Sequence, residues 1–249
     1  MTPLLTTYAP QNFSRYFEPF VGSGAFFFAL QPGISFLSDV NPEITATYQA
    51  IKDDPYAVHL HLSGIPRTKE AYLILRRLLP GTLSIVQRAA RLIFLMKGCF
   101  NGVYRTNQSG QFNVPFGSTV YELPSLADLL AVSEALKDTE IKTGDYSWLK
   151  QTAQQKDFIY LDPPYSVNDR YRGEYGYEAS FQSTQLDELI YFCNDLTQIG
   201  AQIMLSYKWN EQIVEHLNGW KIINLKVPRT VSGANSGRID ASEILAMNY

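Results

Sequence analysis

Residues 157–166 read DFIYLDPPYS. Four consecutive large residues rich in strand formers are too few for a helix and are cut off by breakers, which predicts a short, fully buried strand over FIYL. Asp162 then stands at the strand's carboxyl end. Pro163 and Pro164 each hold φ near about −65° and lack a backbone donor, so the turn is stiff and Pro163 offers only its carbonyl. Two acceptors, the Asp162 carboxylate and the Pro163 carbonyl, point the same way. Two readings stay open on these residues alone: an Asx-type turn that closes a strand, or a receptor for a group carrying two N–H donors.

Outward from this strand the chain alternates strands and helices. SRYFEPF (14–20) is strand-like and leads through VGSG into AFFFAL, a helix packed on a sheet; ISFLSDVN (34–41) is a second strand ending on Asp39. Beyond the proline turn come a helix from about Ser183 to Ile199 closed by Gly200, the strand QIMLS, a short helix near EQIVEHL, and strands around KIINLKV and SEILAM. From about residue 53 to 139 the strand signals fade. Helices capped by Thr68, Ser84 and Ser125 dominate there, with a polar, aromatic stretch, GCFNGVYRTNQSGQFNVPFG, before the last of them. The pattern predicts an α/β fold: a doubly wound, mostly parallel sheet from residues 1–52 and 140–249, carrying a helical insertion at 53–139.

A chain of 249 residues with 45% hydrophobic content is long enough for one large α/β domain with an insertion. It has no apolar run of membrane-spanning length and no signal-peptide order at its amino terminus, so a soluble, cytoplasmic protein without membrane association is expected. Cys99 and Cys193 lie in apolar helical patterns and read as reduced core residues. Three histidines without metal-ligand spacing predict no metal site. The net charge of −3 hides an asymmetry: residues 64–120 carry eight basic side chains (Arg67, Lys69, Arg76, Arg77, Arg88, Arg91, Lys97, Arg105) against Glu70, a segment of +7 in a remainder of −10. Such a block is the footprint of a phosphate-binding face, although Arg76, Arg77, Arg88 and Arg91 also fit solvated helix positions.

In EPFVGSG, Gly22 and Gly24 fall where a strand passes into a helix, and missing Cβ atoms there permit a tight turn and close approach of a ligand. Asp39 ends the next strand, where an acid can accept both hydrogen bonds of a ribose diol. Together they suggest a nucleoside-bearing cofactor. A glycine turn plus a helix-capping aspartate is the plain alternative.

FVGSG, the SDVN acid, YRTNQSGQFNVPFG and DPPY, in that order, resemble the GATC-type DNA adenine-N6 methyltransferases, the D12 class. The likeness spans nearly the whole chain, including KVPRTVSGANSGRIDASEILAM at the carboxyl end. It implies a Rossmann-like methyltransferase fold in which 53–139 is a helical target-recognition domain, a double-stranded DNA substrate, and S-adenosyl-L-methionine as the methyl donor; a monomer is expected. Asp162 and the Pro163 carbonyl would accept the two hydrogens of adenine N6, Pro164 would stiffen the turn, and Tyr165 would stack on the flipped base. Phe20, Val21, Gly22 and Gly24 would surround the cofactor, Asp39 would hold its ribose, and Asp145 with Tyr146 would lie near its adenine. Arg105 would read the guanine of GATC through O6 and N7. Phe100, Asn101 and Val103 would brace the duplex where the adenine leaves, Pro115 would lie near the thymine methyl, and Asn107 and Asn113 would contact phosphates.

Three departures shape further expectations. Family members often carry tyrosine where Phe100 stands and a basic loop where this chain has STVYELP, which puts flanking contacts in question. The chain starts at MTPLLTTYAP, which looks like the residues just after the family's KWAGGK-like segment, so weak cofactor affinity is expected. SVNDRYRGEYGYEASF (166–181) has no continuous apolar face and reads as a lid over cofactor and flipped base. Two other readings remain beside the DNA enzyme: an RNA or other amino-group methyltransferase, since related proline turns serve other planar amines, and a noncatalytic DNA-binding module.

Overall fold

The computed structural model describes residues 2–107, 109–117, 121–164, 183–209, 211–227 and 241–249. Tyr165, the expected lid at 166–181 and most of the closing segment, 228–240, lie outside the described residues. In chain order the elements are α1 (Thr2–Tyr8), β1 (Tyr16–Glu18), α2 (Ala25–Leu30), β2 (Ser35–Asp39), α3 (Pro42–Asp53), α4 (Pro55–Ser63), α5 (Lys69–Arg77), α6 (Ile85–Gly98) and α7 (Leu126–Ala135). There follow β3 (Thr139–Thr143), α8 (Leu149–Thr152), β4 (Phe158–Leu161), α9 (Ser183–Gln198), β5 (Gln202–Lys208), α10 (Glu211–His216), β6 (Lys221–Val227) and β7 (Ala241–Met247).

The strands form one seven-stranded sheet in the order β3-β2-β1-β4-β5-β7-β6. β4 is central and parallel to both neighbours, with Tyr16 opposite Phe158 on one side and Phe158 opposite Gln202 on the other. β7 runs antiparallel between β5 and β6. This is the Rossmann-like methyltransferase arrangement expected from the motifs. The FIYL strand is buried on both faces, as a continuous apolar run requires. Ile159 and Leu161 pack with Ile203, Leu205, Ile244 and the α9 residues Leu189, Cys193 and Leu196. Phe158 and Tyr160 turn the other way, toward Tyr16 (ring centroids 5.5 Å from Phe158) and Phe26 (4.6 Å from Tyr160). Each such side chain contributes about 1.5–3 kcal/mol by leaving water.

β1 is shorter than the seven-residue stretch expected, because Pro19 has no N–H to continue the ladder. Its start is tied to that of β4 by Arg15, whose Nε and Nη2 donate to the buried Asp157 carboxylate at 3.0 and 2.5 Å. The caps at Thr68, Ser84 and Ser125 form as the sequence predicts, the last two as reciprocal capping boxes with Gln87 and Asp128. Both cysteines are free and buried, but Cys99 sits just past α6, in an extended conformation, rather than inside the helix.

Among the described residues the chain divides into two compact units: 2–40, 144–164 and everything from 183 onward form one, and 41–143 the other.

Candidate active site

The first unit brings the expected cofactor residues together. Gly22 and Gly24 have φ of 45° and 62°, a region in which any side chain is strained, so the turn from β1 into α2 depends on glycine. Val21 N–H bonds the Ser38 carbonyl at 3.0 Å, and Gly22 N–H donates to Asp39 Oδ2 at 3.0 Å. Asp39 is 3% exposed, and its carbonyl accepts from Gly144 N–H at 3.0 Å. The capping role open to Asp39 is taken by Asn41, whose side chain accepts from Glu43 N–H at the start of α3. Asp145 is exposed and caps a 3₁₀ turn, Tyr146–Trp148, by accepting from Ser147 N–H at 2.8 Å. Tyr146 is wedged between Phe20 and Phe192 at centroid distances of 5.6 and 5.0 Å, and burial, with smaller effects of Glu188 and Asp145, pushes its hydroxyl up to about 12. Phe20, Gly22, Asp39 and Tyr146 are thus joined through direct contacts and the Gly144 bond.

Asp162 follows β4 directly, as the sequence predicts, with Pro163 buried and Pro164 half-buried behind it. Asp162 keeps exposed surface, yet its carboxyl stands among enough protein atoms to be largely desolvated. That crowding, reinforced by the negative charge of Glu243, pushes its carboxyl up to about 7. Glu18, in β1, is buried and accepts from Tyr16 Oη at 2.7 Å; burial raises it to about 8, with Asp162 adding to the rise and the tyrosine bond opposing it. Glu243, in β7, is buried as well. Neither glutamate was singled out from the sequence, although an acid inside the apolar runs YFEPF and SEILAM is the signal that could have found them.

The second unit holds the expected recognition residues on one loop system between α6 and α7. Phe100, 51% exposed, stands on a 3₁₀ turn whose Asn101 has φ 58°. Phe100 N–H bonds the carbonyl of the exposed Pro115 at 2.9 Å and Gly117 N–H that of Gly98 at 2.8 Å, while Val103 is half-buried beside the Cys99 thiol, which donates to its carbonyl at 3.5 Å. Arg105 is half-buried and anchored by Asn113: Nε donates to Oδ1 at 2.7 Å and Nη2 to the carbonyl at 3.4 Å. Asn107 Oδ1 accepts from Ser109 and Gln111 N–H groups at 3.0 and 2.9 Å. Both asparagines therefore hold the loop's own shape.

The basic block is less free than its charge implies. Arg91 is 3% exposed and donates to the Leu75 carbonyl, Arg88 pairs with Glu43, and Arg76 donates to the Val114 carbonyl at 3.1 Å. The reading of these three as solvated helix positions is overturned: each is buried or half-buried and donates to an acceptor inside the fold. Arg67, Lys69, Arg77 and Lys97 are exposed.

Comparison with known proteins agrees with this geometry. The family model of the D12 class N6 adenine-specific DNA methyltransferases matches residues 1–231. The type II methyltransferase M1.LlaDCHI of Lactococcus lactis is 32% identical over all of this chain and 91% of its own length. The type II methyltransferase M.MjaIII of Methanocaldococcus jannaschii is likewise 32% identical, over 96% of this chain and 89% of its own, and the DNA adenine methylase of Vibrio cholerae is 27% identical over 92% and 85%. With this span of likeness, the chain is an adenine-specific DNA methyltransferase and belongs to the D12 class.

Proposed function

We propose that this enzyme methylates N6 of an adenine flipped out of a GATC site, using S-adenosylmethionine. The observation that carries the reading is the placement of Asp162: it ends the central strand, beside the strand whose continuation forms the Gly22–Gly24 turn bonded to Asp39. Adenine N6 is a poor nucleophile because its lone pair is delocalised into the ring. Asp162 and the Pro163 carbonyl accept its two hydrogens, which localises the lone pair and fixes its direction. When the N6–H bond breaks, the proton passes to the Asp162 carboxylate and from there to the water that reaches it. Pro164 keeps the acceptors rigid.

The residues present fit the cofactor. Positive φ at Gly22 and Gly24 leaves backbone where a side chain would intrude, Asp39 ends β2, and Phe20 with Tyr146 supplies an aromatic wall. When bound, the cofactor supplies an electrophilic sulfonium methyl. Arg105, held by Asn113, presents its remaining guanidinium donors to guanine, and the exposed Phe100 fills the stack that the adenine vacates.

The test is Asp162→Ala. Methyl transfer is lost, while GATC duplex binding stays within about tenfold, because the acceptor acts in the reacting complex. Near-normal turnover in that variant would sink the mechanism. Plasmid from a host without its own adenine methylase, digested with GATC endonucleases of opposite methylation sensitivity, reads the target sequence directly.

A further inference from the structure

The sheet places more acid around Asp162 than the proposed chemistry uses. Ile159 and Leu161 of β4 pack on the α9 side, so Tyr160 and the residue two beyond it, Asp162, continue the opposite face. β1 is registered with Tyr16 beside Phe158 and Phe17 beside Ile159, and Phe17 lies on the α9 side, which brings Glu18 level with Tyr160 on the Asp162 face. On the other flank, Ile244 of β7 pairs with Tyr207 of β5, and both lie on the α9 side. Glu243, one residue away, therefore shares the face of Asp162, at the carboxyl end of β5.

Glu243 is 6% exposed, and its Oε2 has no hydrogen-bond partner among the described residues. Stranding a carboxylate oxygen in this way costs stability, so the group needs another account. Its register partner, Lys208, is exposed and, among the described residues, forms no ion pair with it. Among the described residues, the titratable groups on this face of the strands are Tyr16 and Glu18 on β1, Tyr160 on β4 and Lys208 on β5; Tyr16 and Glu18 are bonded to each other.

We propose that Glu243 is a positioning residue acting through Asp162: its carboxylate, on the sheet face that Asp162 continues, disfavours the charged form of Asp162 in the free enzyme and so governs when Asp162 becomes the full acceptor that adenine N6 requires. The inference rests on Asp162 being that acceptor. The electrostatic picture agrees, since after burial the Glu243 charge is what raises Asp162. A negative charge on the same wall disfavours the ionised form of a neighbouring carboxyl, and removing that charge eases its ionisation.

The experiment compares the full-length enzyme with Glu243→Gln, an isosteric change, by the pH profile of kcat/KM and by carbon NMR titration of the Asp162 carboxyl, assigned through Asp162→Asn. In Glu243→Gln both the carboxyl titration and the acid limb of the profile move to lower pH by about one unit, and the plateau above the limb stays within about threefold. Glu243→Asp restores the wild-type limb. A residue that only supported the fold would lower activity at every pH without moving the limb, and an unmoved limb overturns the proposal, whether or not the NMR titration moves. Should Glu243→Gln not fold, the Asp162 carboxyl of the wild type must titrate well above the ordinary carboxylate range by carbon NMR, and an ordinary titration there overturns the proposal. Failure of the underlying acceptor role is separately visible, as activity retained by Asp162→Asn.

Discussion

At the scale of single residues, the buried Glu18 makes the clearest demand on solution conditions. Its carboxyl is raised from an ordinary value of 4.5 to about 8, chiefly by burial. The folded state therefore binds this proton more tightly than the unfolded chain. The resulting stabilisation is complete below about pH 4.5 and is lost as pH rises through about 8. Glu18→Gln keeps an acceptor for Tyr16 but has no proton to lose. Its thermal unfolding is expected to match the wild type near pH 4.5 and to exceed it by a few kcal/mol at pH 9. Equal pH dependence in both proteins would show that Glu18 ionises at an ordinary value.

At the scale of elements, the loop between α6 and α7 separates two roles for Asn113. A phosphate contact would strengthen binding to every sequence alike, whereas the observed bond from Arg105 makes Asn113 a brace for the side chain proposed to read guanine. Arg105→Ala is expected to cost about 1–3 kcal/mol at the guanine pair and to flatten discrimination there. Asn113→Ala should lose part of the same discrimination and leave binding to non-cognate duplex unchanged. A base-substitution series measured for both variants decides, and uniform weakening by Asn113→Ala would restore the phosphate role. The elements also mark how far the sequence could be read. β4, β5 and β7 announce themselves as short apolar runs, and α5, α6 and α7 by their serine and threonine caps. α3 is hard to see in the sequence because its ITATY core is rich in β-branched residues, which weaken the helical signal; its cue is the Asn41–Pro42 start, a cap followed by proline at the first helical position. β3, TEIKT, is half-exposed and polar, so it lacks the apolar run by which the central strands are found. The insertion of β7 between β5 and β6 was not legible either, since strand order depends on pairing between distant segments rather than on local pattern.

At the scale of the whole molecule, composition identified a basic segment but could not say which charges face outward. Site legibility divides the same way: the strand-end acids Asp39 and Asp162 follow from local pattern, whereas Glu18 and Glu243 gain meaning only when the sheet sets them on the face that Asp162 continues. Arg91 is the sharpest case within the basic segment, counted in its charge yet 3% exposed, bonded to the Leu75 carbonyl and 4.0 Å from Glu43. Burial lowers its guanidinium from the ordinary value, with Glu43 opposing the shift. Removing it leaves Glu43 with Arg88 alone and takes a buried, packed side chain out of the helix interface, so Arg91→Ala should destabilise the fold by about 1–3 kcal/mol. Because no counterion is displaced from DNA by a buried side chain, the salt dependence of duplex binding should not change. Lys97 is the opposite case, exposed in the last turn of α6. Lys97→Ala should leave thermal stability within about 0.5 kcal/mol, weaken binding to every sequence alike, and reduce the slope of log affinity against log salt by about one. Melting curves together with duplex titrations across salt concentrations separate the two outcomes, and a changed salt slope in folded Arg91→Ala would mean that this arginine reaches phosphate after all.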